Sequence, residues 1–459
     1  MRIPSVCGLV AACTLLLVSC STTKKATKTN VDNLIGIEAE KDILTDSNLT
    51  SAHVGICIYD VAENKYLYNY QANKYFIPAS NMKLFTCYAA MKNLGDSLVG
   101  LRYDEPTPGS IIIAGTGDPT FLQAEFKKQP VYDFLKSKTN ISYVSDVIAA
   151  PISPFGMGWA WDDYQDDYMA ERSEMPIYGN CVKFSLQADT LCVMPTAFYN
   201  SGVEWFNGAL RKNNAMKLKF KIIRSLEDND FHALSRSVSQ ADFSQQYVPF
   251  KTILNKKQTF LKLLEDTLGV KFGMSVGTAG RYIPTKVIHS QSTDSLLKIT
   301  MHRSDNFYAE QTLLMVSNEK LKIMNDAKII DTLLKTDFSG LPQKAKWVDG
   351  SGLSRYNLVS PQDFVWILNK MNSEFSWQRI TTILETGNTG TLGGYYKNYS
   401  GRIYAKTGTL SNNVALSGYL ITAKGKKLIF SILVNNHQTG ASTVRRAVEK
   451  FLISVMENY

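Results

Sequence analysis

The sequence predicts a mixed α/β (α+β) fold in which a mainly β segment lies between two helix-containing parts. Three observations support this prediction. Apolar runs of strand length occur towards both ends of the chain, at 54–60 and within 415–434. Helical spacing of apolar residues is found before residue 100 and again after residue 285. Between 101 and 285 the chain shows short alternating segments separated by Gly, Pro, Asn and Asp, which is typical of β structure.

The N-terminal part begins with a helix, a hairpin and a second helix. Residues 32–49 have amphipathic spacing, and the apolar run at 54–60 predicts a strand that is buried on both faces. A short turn leads to a second strand around 66–70. The next helix is expected to begin near Pro78, because proline favours the first turn, and to end at Gly95.

The C-terminal part combines helices with adjacent strands. Helical spacing predicts helices over 292–300, 306–317 and 361–371. Three runs predict neighbouring strands over 402–404, 415–422 and 427–434. A final amphipathic segment predicts a closing helix over 442–456.

Composition excludes several classes of protein. The 459 residues are enough for about three domain-sized units, and 44% hydrophobic with 20% charged residues indicates a folded chain. No apolar run reaches the ~20 residues of a transmembrane helix, so a polytopic membrane protein is excluded. The net charge of +9 comes from scattered Lys and Arg, so we expect no nucleic-acid partner. The five histidines are dispersed and no phosphate-binding glycine loop occurs, so we expect no metal and no cofactor.

The first 19 residues have the features of an export signal. A basic start and an apolar segment precede Leu17-Val18-Ser19-Cys20, which has the small residue before cysteine of a bacterial lipoprotein cleavage site. We therefore expect 1–19 to be removed and Cys20 to be lipidated, so that the membrane is contacted through a lipid anchor only. An ordinary secretory signal is the alternative. Residues 20–33 are interpreted as a tether, and Ser21 favours the outer membrane with the protein facing the periplasm.

Four other cysteines remain after removal of the signal. Cys57 lies in an apolar strand and Cys87 in an apolar helix, where buried free thiols are expected. Cys181 and Cys192 flank a short strand-like segment in an oxidising compartment. The sequence fits either a disulfide between these two or a pair of free thiols.

The predicted helix after Pro78 carries a candidate nucleophile and base. Ser80 and Lys83 are three residues apart, a spacing that places both side chains on one face of a helix. A lysine amine can activate a serine when burial and neighbouring cations keep it neutral. The same Ser-x-x-Lys spacing occurs at Ser21, Ser295 and Ser317, so on its own it also fits a helix cap beside an exposed lysine.

Two further motifs follow in order. Ser304-Asp305-Asn306 comes just before a predicted helix, and Lys406-Thr407-Gly408-Thr409 lies in a strand context. With Ser80 and Lys83 these motifs resemble the trio of penicillin-binding proteins and class A β-lactamases.

The spacing of the motifs narrows the resemblance. Ser80 and Ser304 are 224 residues apart, which leaves room for a large insertion, whereas Ser304 and Lys406 are separated by 102. This arrangement resembles the class C low-molecular-mass penicillin-binding proteins, the D-alanyl-D-alanine carboxypeptidase/endopeptidase family of the serine penicillin-recognising superfamily. Segments 114–120, 158–163 and 349–355 are also similar to stretches of that family.

The resemblance implies a three-layer α/β/α transpeptidase-like domain with a central antiparallel sheet that is split by an inserted module. Strands from both ends of the chain would share that sheet. The implied boundaries are 34–100 for the N-terminal part, 101–285 for one or two small inserted domains, and 286–459 for the C-terminal part.

The resemblance also implies an activity on peptidoglycan peptides ending in D-Ala-D-Ala, with β-lactams acylating Ser80. Lys83 would act as base, Ser304 would relay a proton, and Asn306 would bind the substrate amide. Lys406, Thr407 and Thr409 would engage the terminal carboxylate, and Gly408 would belong to the same substrate-binding segment. An inserted Asp, Asp163 or its rival Asp162, would approach the active-site lysine. A serine β-lactamase and a non-catalytic wall-binding lipoprotein are the two alternatives, and the oligomeric state is left open.

Overall fold

A computed structural model describes residues 31–145, 152–187, 190–200, 202–204, 206–207, 220–235, 243–254, 257–275 and 282–459. The signal, Cys20 and most of the predicted tether lie outside these residues. Within them, the strands are β1 (His53–Asp60), β2 (Lys65–Tyr70), β3 (Ser97–Thr107), β4 (Ser110–Ala114), β5 (Asn140–Val144), β6 (Cys181–Gln187), β7 (Thr190–Met194), β8 (Phe220–Arg224), β9 (Phe231–Ser235), β10 (Gln245–Pro249), β11 (Ile253–Leu254), β12 (Lys257–Gln258), β13 (Phe272–Ser275), β14 (Lys286–Ser292), β15 (Glu385–Thr386), β16 (Ile403–Leu410), β17 (Asn413–Ile421) and β18 (Lys427–Asn435).

The α-helices of the described residues are α1 (Val31–Ala39), α2 (Lys83–Asn93), α3 (Pro130–Lys136), α4 (Thr259–Leu268), α5 (Thr293–His302), α6 (Asn306–Leu321), α7 (Asp326–Lys335), α8 (Pro361–Glu374), α9 (Trp377–Ile383) and α10 (Ala441–Asn458). A turn of π-helix, Glu40–Leu44, continues α1. A 3-10 turn, Ala79–Met82, leads directly into α2.

The central sheet has six antiparallel strands in the order β15-β16-β17-β18-β1-β2. Strand β1 pairs with β18 from His53 opposite Asn435 to Asp60 opposite Leu428. Strands from the two ends of the chain therefore share one sheet, as expected. This pairing fixes the N-terminal hairpin beside the C-terminal strands, although more than 350 residues separate them along the chain.

The central sheet is buried on both faces. Alternate residues of β1 point to opposite sides, so Cys57 and Tyr59 pack with α2, α5, α6, α7 and α8. Ile56 and Ile58 pack on the other side with α1 and α10. The predicted strand buried on both faces and the α/β/α layering are confirmed.

The inserted segment forms its own core around smaller sheets. A five-stranded mixed sheet has the order β13-β5-β4-β3-β14, and a three-stranded sheet has the order β10-β6-β7. The pairs β4–β5 and β5–β13 are parallel. Strand β3 crosses residue 100 and pairs with β14, so the chain enters and leaves the insertion through two neighbouring strands.

The four cysteines in the described part of the chain are free thiols. Cys57 and Cys87 are buried, as expected. Cys192 on β7 is paired with Ser185 of β6, and Cys181 lies four residues before Ser185. At ~3.3 Å per residue, the Cα atom of Cys181 is about 13 Å from that of Ser185. A disulfide requires Cα atoms within ~7 Å. The Cys181–Cys192 disulfide that the sequence allowed is therefore not formed.

No helix in the described ranges is both long and apolar enough to cross a bilayer.

Phe85 is the clearest test of the helical layer on the α2 side of the sheet. Its ring is fully buried and packs against Phe338, Trp347 and Phe364 with centroid distances of 5.3, 5.4 and 5.7 Å. We expect Phe85→Ala to lower the free energy of unfolding by about 3–5 kcal/mol, because it leaves a cavity between three rings. Urea unfolding followed by tryptophan fluorescence measures the loss.

Leu226→Ala is the matched control, because the Leu226 side chain is half exposed. Its expected effect is within about 0.5 kcal/mol. Similar losses in the two variants would show that Phe85 does not organise this layer.

Candidate active site

Ser80 lies on the turn that opens α2. The 3-10 turn at Ala79–Met82 is followed at once by Lys83, the first residue of the helix. Buried Asn81 donates from Nδ2 to Ser417 Oγ of β17 at 2.7 Å. This contact attaches the turn to the central sheet, while Ser80 itself remains partly exposed.

Lys83 is fully buried beside Ser80. Its Nζ lies 2.9 Å from Ser80 Oγ, 2.6 Å from Asn306 Oδ1 and 2.8 Å from the Ser351 carbonyl oxygen. A neutral amine has two N–H groups and one lone pair. The amide and carbonyl oxygens can only accept, so they bind the two N–H groups. The lone pair is then left facing the Ser80 hydroxyl, the one partner that can donate a proton.

Burial shifts the pKa values of both lysines of the site. Burial, together with the nearby Lys406 cation, lowers the pKa of Lys83 to about 7. Asp305, Asp349 and Glu310 oppose that shift. Burial also lowers the pKa of Lys406 to about 8, although Glu385 favours its charged form. A neutral Lys83 and a charged Lys406 can therefore coexist near neutral pH.

The second motif brings Ser304 and Asn306 to the same place. Ser304 has a φ of 57°, a left-handed conformation that non-glycine residues seldom adopt. Asp305 then caps α6 by accepting from the Tyr308 backbone N–H at 2.8 Å. Asn306 opens α6, and its Nδ2 donates to the Tyr168 carbonyl at 3.1 Å. This side chain therefore bridges Lys83 and the inserted segment.

The third motif lies on β16, next to the Ser80 turn. A Cβ added to Gly408 would lie 2.8 Å from the Pro78 carbonyl oxygen and 3.0 Å from the Ser80 nitrogen. Only glycine allows this approach without displacing backbone atoms. The strand can therefore run directly alongside the turn that carries Ser80.

The side chains of the third motif have defined partners. Buried Lys406 donates from Nζ to the Thr407 carbonyl at 2.8 Å. The Thr407 hydroxyl contacts the Thr391 hydroxyl. Thr409 Oγ1 accepts from Arg445 Nη2 of α10 at 2.6 Å, which brings a second cation to the strand.

A cleft of about 630 Å³ connects the motifs. Ser80, Ser304, Asn306 and Thr409 line it together with Asp163, Tyr168 and Arg355. The structure thus brings the three motifs together around one cavity, with Lys83 and Lys406 buried. Asp163 lies on the cleft wall, whereas the hydrogen-bond partners of the Lys83 amine are Ser80, Asn306 and Ser351. Asp162 is exposed.

Sequence reasoning missed a buried network behind the site. Glu310, Arg172 and Asp349 are almost completely buried. Asp349 accepts from the backbone N–H groups of Gly352 and Ser354 at 3.0 and 2.6 Å, and from Trp159 Nε1 at 2.8 Å. One signal was present, because Glu310 comes one helical turn after Asn306 among apolar residues.

No group of three or more His, Cys, Asp or Glu side chains is placed to hold a metal ion in the part of the chain that the structure describes.

Comparisons with known proteins give the same picture. The model of the D-Ala-D-Ala carboxypeptidase 3 (S13) family matches residues 38–455. The D-alanyl-D-alanine carboxypeptidase DacB of Haemophilus influenzae is 24% identical over 442 residues, which cover 86% of this chain and 88% of the relative. A D-alanyl-D-alanine carboxypeptidase of Actinomadura sp. (strain R39) is 26% identical over 441 residues, 86% of this chain and 80% of the relative.

The fold is also found among solved structures. The crystal structure of penicillin binding protein 4 (dacB) from Haemophilus influenzae superposes with a TM-score of 0.67 at 19% identity. The match covers 91% of this chain and 97% of that one. The resemblance to class C penicillin-binding proteins is thereby confirmed. Because the family model spans nearly the whole described chain, this protein is a serine hydrolase that belongs to the D-Ala-D-Ala carboxypeptidase 3 (S13) family.

Proposed function

We propose that the protein cleaves D-Ala-D-Ala termini and D-amino-acid cross-links of peptidoglycan through an acyl-enzyme on Ser80. The observation that carries this proposal is the arrangement around the Lys83 amine. Two acceptor oxygens orient its N–H groups, so the lone pair faces Ser80 Oγ at 2.9 Å. That is the geometry of a general base beside its nucleophile.

Acylation begins when Ser80 Oγ attacks the carbonyl carbon and Lys83 takes the hydroxyl proton. The oxyanion would be stabilised by the backbone N–H groups of Ser80 and Thr409. The close approach at Gly408 supports this role, because it places β16 against the Ser80 turn. The negative charge then forms between two fixed segments of backbone.

The C–N bond breaks when the departing amine receives a proton. Ser304 lines the cleft with Ser80, so its hydroxyl can pass the Lys83 proton to that amine. Asn306 would hold the substrate amide and keep Lys83 in place. Water then attacks the ester, which releases the shortened peptide and restores the Ser80 hydroxyl.

Substrate recognition would depend on the third motif. A charged Lys406 with the hydroxyl groups of Thr407 and Thr409 would bind the terminal carboxylate. Arg445, which donates to Thr409, adds positive charge at the same strand. Gly408 would act by its small size, and Asp163, which lines the same cleft, would contact the substrate.

β-Lactams would acylate Ser80 by the same route, because they present a strained carbonyl with a neighbouring carboxylate. A structure of the Haemophilus influenzae penicillin binding protein 4 in complex with a β-lactam shares the fold, with a TM-score of 0.63 at 18% identity over 93% of this chain and 99% of that one.

We also propose that the chain is exported and held at the outer membrane, facing the periplasm, by lipid on Cys20. This rests on the basic and apolar segments before Leu17-Val18-Ser19-Cys20 and on Ser21 after the cysteine.

The nucleophile is tested by intact mass after incubation of residues 21–459 with benzylpenicillin. We expect a stable adduct and the release of D-alanine from a muropeptide ending in D-Ala-D-Ala. Ser80→Ala should form no adduct and lose at least about a thousandfold in rate, because no other group can form the ester.

Ser295→Ala is the matched control, because Ser295 precedes Lys298 with the same spacing but is exposed on α5. It should behave as the unaltered protein. Rapid loss of penicillin without an adduct would instead identify a β-lactamase. If the protein forms no adduct and shows no turnover, it is a non-catalytic wall-binding protein.

The pH dependence of kcat/KM should be bell-shaped. Lys83 must be neutral to accept a proton, so activity falls below its pKa of about 7. Lys406 must be charged to bind the carboxylate, so activity falls above its pKa of about 8. Initial rates of D-alanine release on both sides of neutrality measure the two limbs.

Lys406→Arg separates the two assignments. A guanidinium stays charged, so the alkaline limb should move well upwards while the acid limb remains. An alkaline limb that persists in this variant would belong to another group.

The anchor is tested by separating membrane and soluble fractions of cells that express the full chain. We expect the protein with the outer membrane, and Cys20→Ser should move it to the periplasmic fraction because the thiol that would carry the lipid is removed. Mass spectrometry of the mature N-terminus checks the lipid directly. A membrane-bound Cys20→Ser protein would disprove the lipid anchor.

A further inference from the structure

Glu310 is a buried carboxylate that the proposed reaction does not use. It lies on α6, one turn beyond Asn306, and is 1% exposed. Its Oε1 accepts from the Ser351 backbone N–H at 2.7 Å, and its Oε2 lies 3.3 Å from Arg172 Nη1. Burying a carboxylate costs free energy even when it is paired, so the presence of Glu310 in the interior suggests a role beyond folding.

Ser351 connects this carboxylate to the base. The Ser351 carbonyl accepts from Lys83 Nζ at 2.8 Å, and the Ser351 backbone N–H donates to Glu310. Ser351 therefore contacts the base through its oxygen and the buried carboxylate through its nitrogen. The neighbouring peptide groups are also fixed. The Gly350 carbonyl accepts from Thr86 Oγ1 at 2.6 Å, and the Gly352 N–H donates to Asp349.

Arg172 connects the same carboxylate to the inserted segment. The guanidinium donates to the carbonyl groups of Ser153 and Phe155 at 3.0 and 2.8 Å. It also pairs with Asp326 of α7 at 2.6 Å. Glu310 is therefore the residue of α6 at which the inserted segment and the loop that carries Ser351 meet.

We propose that Glu310 is a positioning residue for Lys83: it holds Ser351 so that the carbonyl directs the amine towards Ser80, and its charge acts on that amine. The inference rests on the proposed function. In this arrangement the ion pair with Arg172 favours the ionised form of Glu310 and holds its side chain in place within the protein interior.

The charges around both groups set the expected direction. Lys406 lowers the pKa of Lys83, while Asp305, Asp349 and Glu310 raise it. Burial, Asp349 and Asp326 raise the pKa of Glu310 itself, and the opposing effects of Arg172 and the Ser351 hydrogen bond only partly offset that rise. Neutralising Glu310 therefore moves the pKa of Lys83 downwards.

The test compares E310Q with the unaltered protein in its rate of acylation by benzylpenicillin, measured by intact mass across a pH series. Gln keeps the size and an acceptor oxygen but removes the charge. We expect an about 10- to 100-fold slower acylation, because the amine is held less well. We also expect the acid limb to move to lower pH.

Asp326→Asn is the matched control. It removes the other carboxylate partner of Arg172, which contacts neither Ser351 nor Lys83, so the rate should stay within about twofold and the acid limb should not move. If E310Q does not fold, the double variant E310Q with Arg172→Met removes the stranded cation and should show the same shift of the limb.

The outcomes separate the two proposals. Failure of the unaltered protein to form an adduct overturns the proposed function. If the unaltered protein is acylated, an unchanged rate in the E310Q protein overturns the role of Glu310. A slower rate with an unmoved acid limb overturns it as well, since that result shows support of the fold alone.

Discussion

The burial of the Lys83 amine is the constraint on which the site depends. An amine removed from water is stable only where oxygen atoms receive its N–H groups. Here those atoms come from the start of α6 and from the loop before α8, while Ser80 lies on the 3-10 turn that leads into the helix of the lysine. Three separate segments must therefore converge before the amine can be buried. Once they converge, the same burial keeps part of the amine neutral, which is what a base requires.

The central sheet is what makes this convergence possible. Pairing of β1 with β18 places α2, which follows the N-terminal hairpin, beside strands from the far end of the chain. Strand β16 then runs past the Ser80 turn closely enough that Gly408 has no room for a side chain. The anchoring of Asn81 to Ser417 joins the same turn to β17. The site is thus set by strand register, and a slip of one residue would turn Lys406 to the other face of the sheet.

The sequence was sufficient for the parts of this arrangement that depend on local pattern. A continuous apolar run predicts β1, helical spacing predicts α6 and α10, and the ordered motifs predict which side chains share the cleft. It was not sufficient where remote segments meet. Arg172 and Glu310 are 138 residues apart, and no periodicity relates them. The Cys181–Cys192 disulfide depended on register, which places Cys192 opposite Ser185. The role of the Ser351 carbonyl could not be predicted, because every residue has a backbone carbonyl and no side chain marks the one that binds Lys83.

The insertion is joined to the site and is not an appendage. Strand β14, which pairs with β3, continues directly into α5, and the segment around Arg172 is buried against α6. Asn306 donates to the Tyr168 carbonyl of the insertion while it accepts from Lys83, so one amide links substrate cleft, base and insertion. Ser304 adopts its left-handed conformation between these contacts. Such a conformation costs about 1–3 kcal/mol and persists only where its surroundings enforce it. Arg303 pairs with Glu125 of the insertion at 3.0 Å, and Asn306 donates to the Tyr168 carbonyl, so the insertion contacts the chain on both sides of Ser304.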